Sequence, residues 1–170
     1  MDLTSTLLSV IMDSEGDKMK TISKSKKSTS PANEAKYQRL WDEMKRVSHE
    51  ALASATPPTP MIVGSPSTPL GSDVDLTKKT WYVADGVCGF AWVVLDSGRT
   101  GFAQWLIKKG YGSKHYQWGG GYKGVSIWLH SREGFAETRQ SLQLKEQVCN
   151  KVANYLRSEG ISARYESRID

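Results

Sequence analysis

Between residues 80 and 170 the hydrophobic spacing switches between a period of two and a period of three to four. The first spacing marks strands and the second marks helices. Trp81–Leu95 is dense in Val, Trp, Tyr and Phe and is interrupted by Asp85-Gly86 and Gly89, which predicts one bulged strand or a hairpin. Asp96-Ser97-Gly98 reads as a turn, and Phe102, Ala103, Leu106 and Ile107 form the inner face of a short helix stopped by Gly110. Lys114–Trp118 and Lys123–His130 read as strands around Gly119-Gly120-Gly121, a run suited to a hairpin. Leu144, Val148, Val152, Tyr155 and Leu156 keep helical spacing up to Gly160, and Ile161–Ile169 closes the pattern as a strand.

Strand, helix, strand, strand, helix, strand is the order of an α+β, ferredoxin-like split βαβ domain (βαββαβ), in which two helices cover one face of a four-stranded sheet. Ahead of it, Tyr37, Leu40, Trp41, Met44, Val47, Ala51 and Leu52 make one apolar stripe on a helix that Ser30-Pro31 caps and starts. Thr56–Leu70 holds five prolines and predicts an extended linker. The expected organisation is a flexible segment over 1–30, an amphipathic helix over 31–55, a Pro-rich linker over 56–77 and the α+β domain over 78–170. The stripe either docks on its own domain or a second copy, or is a partner helix presenting Tyr37, Leu40, Trp41 and Met44 to another protein.

Charge sharpens this division. Of the 170 residues, 1–77 carry 9 Lys/Arg against 10 Asp/Glu, whereas 78–170 carry 14 against 8, and five of the six Trp lie in that second part. A basic, aromatic-rich module favours an acidic partner. Cys88 and Cys149 show neither a disulfide framework nor a metal spacing, which points to a reducing cytoplasm, and the stretch Met1–Asp13 has neither a basic leader nor the length to span a bilayer. No metal, cofactor or membrane association is expected.

Pleat parity places the candidate chemistry. With Val125, Ile127 and Leu129 facing the helices, Ser126, Trp128 and His130 face the other way; with Ala91, Val93 and Leu95 inward, Cys88, Phe90, Trp92 and Val94 face outward. In a ferredoxin-like sheet these two strands are central neighbours, so Phe90, Trp92 and Trp128 should meet, bordered by Arg164 and Arg168. Aromatics of this number on an uncovered face mark an interface, to a second subunit or to single-stranded nucleic acid. Lys108, Lys109, Lys114, Tyr116, Trp118 and Lys123 interleave base and ring nearby and join the candidate binding set. RNA-recognition modules use this strand order, and Lys123-Gly124 resembles the opening of their third-strand signature, although Val125 and Ile127 stand where stacking rings are expected. Catalysis has one candidate, a thiolate–imidazole pair of Cys88 and His130; the commoner fate of a strand cysteine is a small buried hydrophobe.

The runs Val87-Cys88-Gly89-Phe90-Ala91-Trp92-Val93, Phe102-Ala103-Gln104-Trp105-Leu106, Val125-Ser126-Ile127-Trp128, Gln140-Ser141 with Lys145-Glu146, Gly160-Ile161-Ser162-Ala163 and Ser167-Arg168-Ile169-Asp170 resemble small uncharacterised proteins of tailed phages. The resemblance implies a viral origin and a bacterial cytoplasm or virion as the setting, and no activity. The expectation is a non-enzymatic phage-type accessory binding protein that uses its aromatic and basic sheet face for self-association or nucleic-acid binding. The alternatives are a minor virion or assembly protein docking through its N-terminal helix, and a small cysteine-dependent enzyme.

Overall fold

The computed structural model of the chain describes residues 30–116 and 122–170. In chain order its elements are α1 (Pro31–Ala53), β1 (Met61–Gly64), β2 (Thr80–Val83), β3 (Gly89–Leu95), α2 (Gly101–Lys108), β4 (Ser113–Tyr116), β5 (Tyr122–Ile127), a single 3-10 turn (Leu129–Ser131), α3 (Leu142–Ser158) and β6 (Ala163–Ile169). The expectations for residues 1–29, for Trp118 and for the glycine run 119–121 lie outside the described residues.

The main sheet has the order β4-β5-β3-β6 with every neighbouring pair antiparallel. The fold is α+β. Ala91, Val93 and Leu95 of β3 line up with Val125 and Ile127 of β5 and Ala163 of β6 to make one apolar face. Phe102, Ala103, Trp105 and Leu106 of α2, with Val148, Cys149, Val152, Ala153 and Leu156 of α3, complete that core. Gly110 and Gly160, at φ 72° and 76°, take the left-handed conformation that stops each helix. The inner stripe of α3 keeps Val148, Val152 and Leu156 as expected, but at its start Lys145 is buried and not Leu144.

The partner-helix expectation for α1 is overturned. Leu40, Trp41 and Met44 are buried in the same core, and Tyr37 packs against it. Trp41 stacks on Tyr111 at 4.4 Å and 3° and meets the edge of Phe135 at 4.9 Å, while Tyr37 tilts against Phe102 and Trp105. The buried hydroxyl of Ser48 accepts from the Ala136 amide at 3.0 Å and donates to the Lys45 carbonyl. Burial of large aromatics contributes more than any exposed docking contact, so the stripe is spent inside the domain.

The linker expectation for 56–77 is corrected as well. Met61–Gly64 is a strand, paired antiparallel with Thr80–Val83 in a separate two-stranded ribbon whose long loop is bridged at Pro66 and Val74. The amides of Thr56 and Thr59 donate to the Gln147 and Gln143 side chains of α3, both at 2.9 Å, which ties the proline-rich stretch to the domain. Consequently Trp81–Leu95 is neither one bulged strand nor a hairpin. It is two strands in two sheets, and the turn around Asp85-Gly86 (Gly86 at φ 67°) redirects the chain between them. The third strand of the module ends at Ile127 and not at His130, since the chain tightens there into the 3-10 turn.

Candidate functional site

The sheet face opposite the core is built from Phe90, Trp92 and Val94 of β3, Gly124 and Ser126 of β5, Ser113 and His115 of β4, and Arg164, Glu166 and Arg168 of β6. Residues opposite one another in these ladders share a face, so the register alone fixes this membership. Gly124 has no room for a side chain: a Cβ there would lie 2.1 Å from the Leu95 carbonyl oxygen.

One half of the face is closed by its own polar side chains. Arg164 donates to Glu166 at 2.7 and 3.1 Å and also bonds Asp96, whose carboxylate accepts from Ser162. His115 reaches Glu166 at 3.5 Å, and the hydroxyls of Ser113 and Ser126 meet at 3.0 Å. Beneath this brace Val94 and Ser126 are buried, so Ser126 is not the exposed residue that parity suggested.

The other half is aromatic and half-exposed. Trp92 and Trp128 stack at 4.8 Å and 19°, Phe90 meets Trp128 edge-on at 6.0 Å, and His130 completes the cluster at 5.5 Å from Trp128 and 6.2 Å from Phe90. Arg168, directly opposite Phe90 in the ladder, holds its guanidinium 5.2 Å from that ring. Burial and the neighbouring Lys145 ammonium lower the pKa of His130, against a hydrogen bond to the Ala91 backbone that raises it, so the imidazole is neutral at neutral pH.

Phe90, Trp92, Trp128, His130 and Arg168 are therefore brought together as the sequence pattern expects, and Arg164 is on the same face but committed to two carboxylates. The remaining basic candidates are elsewhere. Lys108 and Lys109 end α2 on the helix layer, where Lys109 pairs with Glu34 of α1 at 2.7 Å and lies over the Trp105 ring. Lys114 stands opposite Val125, on the core-side parity, and Lys123 shares that parity two residues away. Tyr116 is exposed at the end of β4, past a register shift after His115. The interleaving of base and ring in the sequence did not translate into one surface, because alternate residues of a strand face opposite ways.

Cys88 and His130 do not form a pair. Cys88 is half-buried in an isolated bridge to Ser141, its carbonyl accepting from the Asp170 amide, while the His130 ring neighbours are Phe90 and Trp128. Among the described residues no hydrogen bond joins the two, since the 3-10 turn carries His130 out of the strand register on which the pairing depended. The thiol of Cys149, deep in the core, is pushed up to about 12 by burial and is inert.

No family model, curated protein or solved structure matches this chain. Among the described residues no group of His, Cys, Asp and Glu could hold a metal ion, and no helix is long and apolar enough to cross a membrane. Sequence reasoning missed one residue of consequence, Lys145. It is buried, donates to the Gly89 carbonyl at 2.6 Å, and lies 5.4 Å from Phe90 on the same ring that Arg168 covers.

Proposed function

We propose that this chain is a non-enzymatic binding module for single-stranded nucleic acid, in an accessory protein of the tailed-phage kind that residues 80–170 resemble. The order β4-β5-β3-β6, with helices between the first and second and the third and fourth of its strands in chain order, supports reading the module as ferredoxin-like. The observation that carries the proposal is the aromatic half of the open face, where a stacked Trp pair adjoins a guanidinium that no acid neutralises among the described residues. Bases stack on exposed ring faces without regard to sequence, and Arg168 supplies a phosphate contact at their edge. The polar brace around Arg164 and Glu166 limits the platform to one or two bases.

Fluorescence anisotropy with a labelled oligothymidylate tests this. Binding should weaken modestly with salt, with Trp92→Ala or Trp128→Ala costing about 1–3 kcal/mol. Arg168→Ala should reduce the salt slope by about 0.7, the value for one phosphate contact on a single strand. Lys108→Ala with Lys109→Ala should change neither, because those side chains lie on the helix layer. Absence of binding at low salt, or equal loss from the Lys variants, would overturn the proposal.

A second reading rests on the β1–β2 ribbon, which exposes Trp81 (53 %), Tyr82 (71 %) and Ile62 (51 %). Such a ribbon is marginal alone, and its apolar side chains favour protein association, including self-association. Light scattering of Trp81→Ser with Tyr82→Ser checks it: a wild-type dimer should become a monomer.

A further inference from the structure

Lys145 is the fourth residue of α3, only 5 % exposed, and among the described residues no carboxylate forms an ion pair with it. Its ammonium donates to the carbonyls of Gly89 at 2.6 Å and Gln140 at 3.4 Å, which uses two of its three N–H groups. Lys145 also lines a cavity of about 10 Å³, together with Leu129, His130, Ala136, Thr138, Val148 and Cys149. Thr138 is 3 % exposed, and its hydroxyl has no hydrogen-bond partner among the described residues.

Three circumstances bring positive charge to this pocket, against the Glu146 carboxylate that acts on Cys149. The ammonium is desolvated, so its charge is poorly screened. It sits in the opening turns of α3, whose first turn contains no acidic residue, so the positive end of the helix dipole adds to it. Arg168 lies 5.2 Å from the same Phe90 ring, and so contributes a second cation nearby. Burying an unpaired cation is unfavourable, and a counter-charge within hydrogen-bond reach is the usual remedy. The cavity has room for one water-sized occupant.

We infer that the Lys145–Thr138–His130 cavity is a structural site for a halide-sized monovalent anion, held by the Lys145 ammonium and the Thr138 hydroxyl. The ion neutralises Lys145 and lets β3, the 3-10 turn and the start of α3 pack around a charge. The cavity adjoins the aromatic face through His130, which belongs to both, while the ion itself is held by Lys145 and Thr138. Burial, and after it the Lys145 ammonium, lower the pKa of His130, so that ammonium is felt at the cavity wall.

The decisive measurement is anomalous diffraction from crystals of the full chain grown or soaked in sodium bromide. A bromide peak within hydrogen-bond distance of Lys145 Nζ and Thr138 Oγ1 is expected; a water there instead, with bromide only on the surface, would overturn the site. In solution, melting should rise saturably by about 3 °C when chloride replaces gluconate at constant ionic strength. Lys145→Met, which keeps the stem and removes the charge, should abolish that halide dependence. Thr138→Val should weaken the response at least threefold and serves if the Lys145 variant does not fold. A halide response unchanged in both variants would overturn the site as well.

Discussion

At the scale of the residue, environment decides what each side chain can do. The two cysteines share a chemistry and differ in setting: Cys88 is half-buried near a chain bridge, Cys149 is sealed in the core with its pKa pushed up to about 12. Iodoacetamide should label Cys88 in the folded protein and reach Cys149 only after denaturation, as peptide mapping would show. Because no hydrogen bond joins His130 to the thiol among the described residues, His130→Ala should leave the Cys88 rate unchanged. His130 itself carries a pH dependence. Its folded pKa is lowered below the usual 6.5, so the unfolded chain binds its proton first, and stability falls as pH drops through that value. Urea unfolding at pH 7.5 and 5.5 should show a larger loss for wild type than for His130→Phe. The meeting of Phe90, Trp92 and Trp128 was legible because a period of two fixes a side chain's face without knowledge of the rest. Lys145 was not, since a lysine in an amphipathic helix reads as solvated until its neighbours are known.

At the scale of the element, β3 and α1 show where local pattern suffices and where it fails. The Val-rich run of β3 dictates a central strand, and the structure pairs it on both sides. Gly124 on its β5 neighbour allows the close approach to Leu95, and Gly124→Ala should cost about 1–3 kcal/mol in thermal or urea unfolding, because backbone would have to move. The stripe of α1 was equally plain, but amphipathicity says only that a face is covered and not by what. The answer came from Tyr111 and Phe135, remote in sequence, which close on Trp41. Trp41→Ala should destabilise the fold by about 3–5 kcal/mol, a loss read directly in the unfolding midpoint. The β1–β2 ribbon escaped detection for a different reason. Strands of four residues amid prolines and threonines carry too little alternation to distinguish them from an extended linker, and their pairing spans a loop from residue 65 to 79.

At the scale of the whole molecule, the division into appendage, linker and domain gives way to a single core. It takes residues from Leu40 near its start to Ala163 near its finish. Deleting residues 30–60 should therefore unfold the module and not merely release a tether; loss of near-UV dichroism and exposure of Trp105 to acrylamide would report it. The excess of positive charge in the second part is spread over both layers, and among the described residues only Arg164 and Arg168 share the sheet face that carries the aromatics, so net charge marked a basic stretch without marking one surface.

The pairing of β3 with β6 has a consequence during synthesis. Gly89–Leu95 leaves the ribosome long before Ala163–Ile169 exists, so the most apolar strand of the sheet must wait for this partner until β6 has been made. Until then its edge is open to other chains. A nascent chain stalled before residue 163 should remain protease-sensitive throughout, and become resistant in a single step once β6 has cleared the exit tunnel.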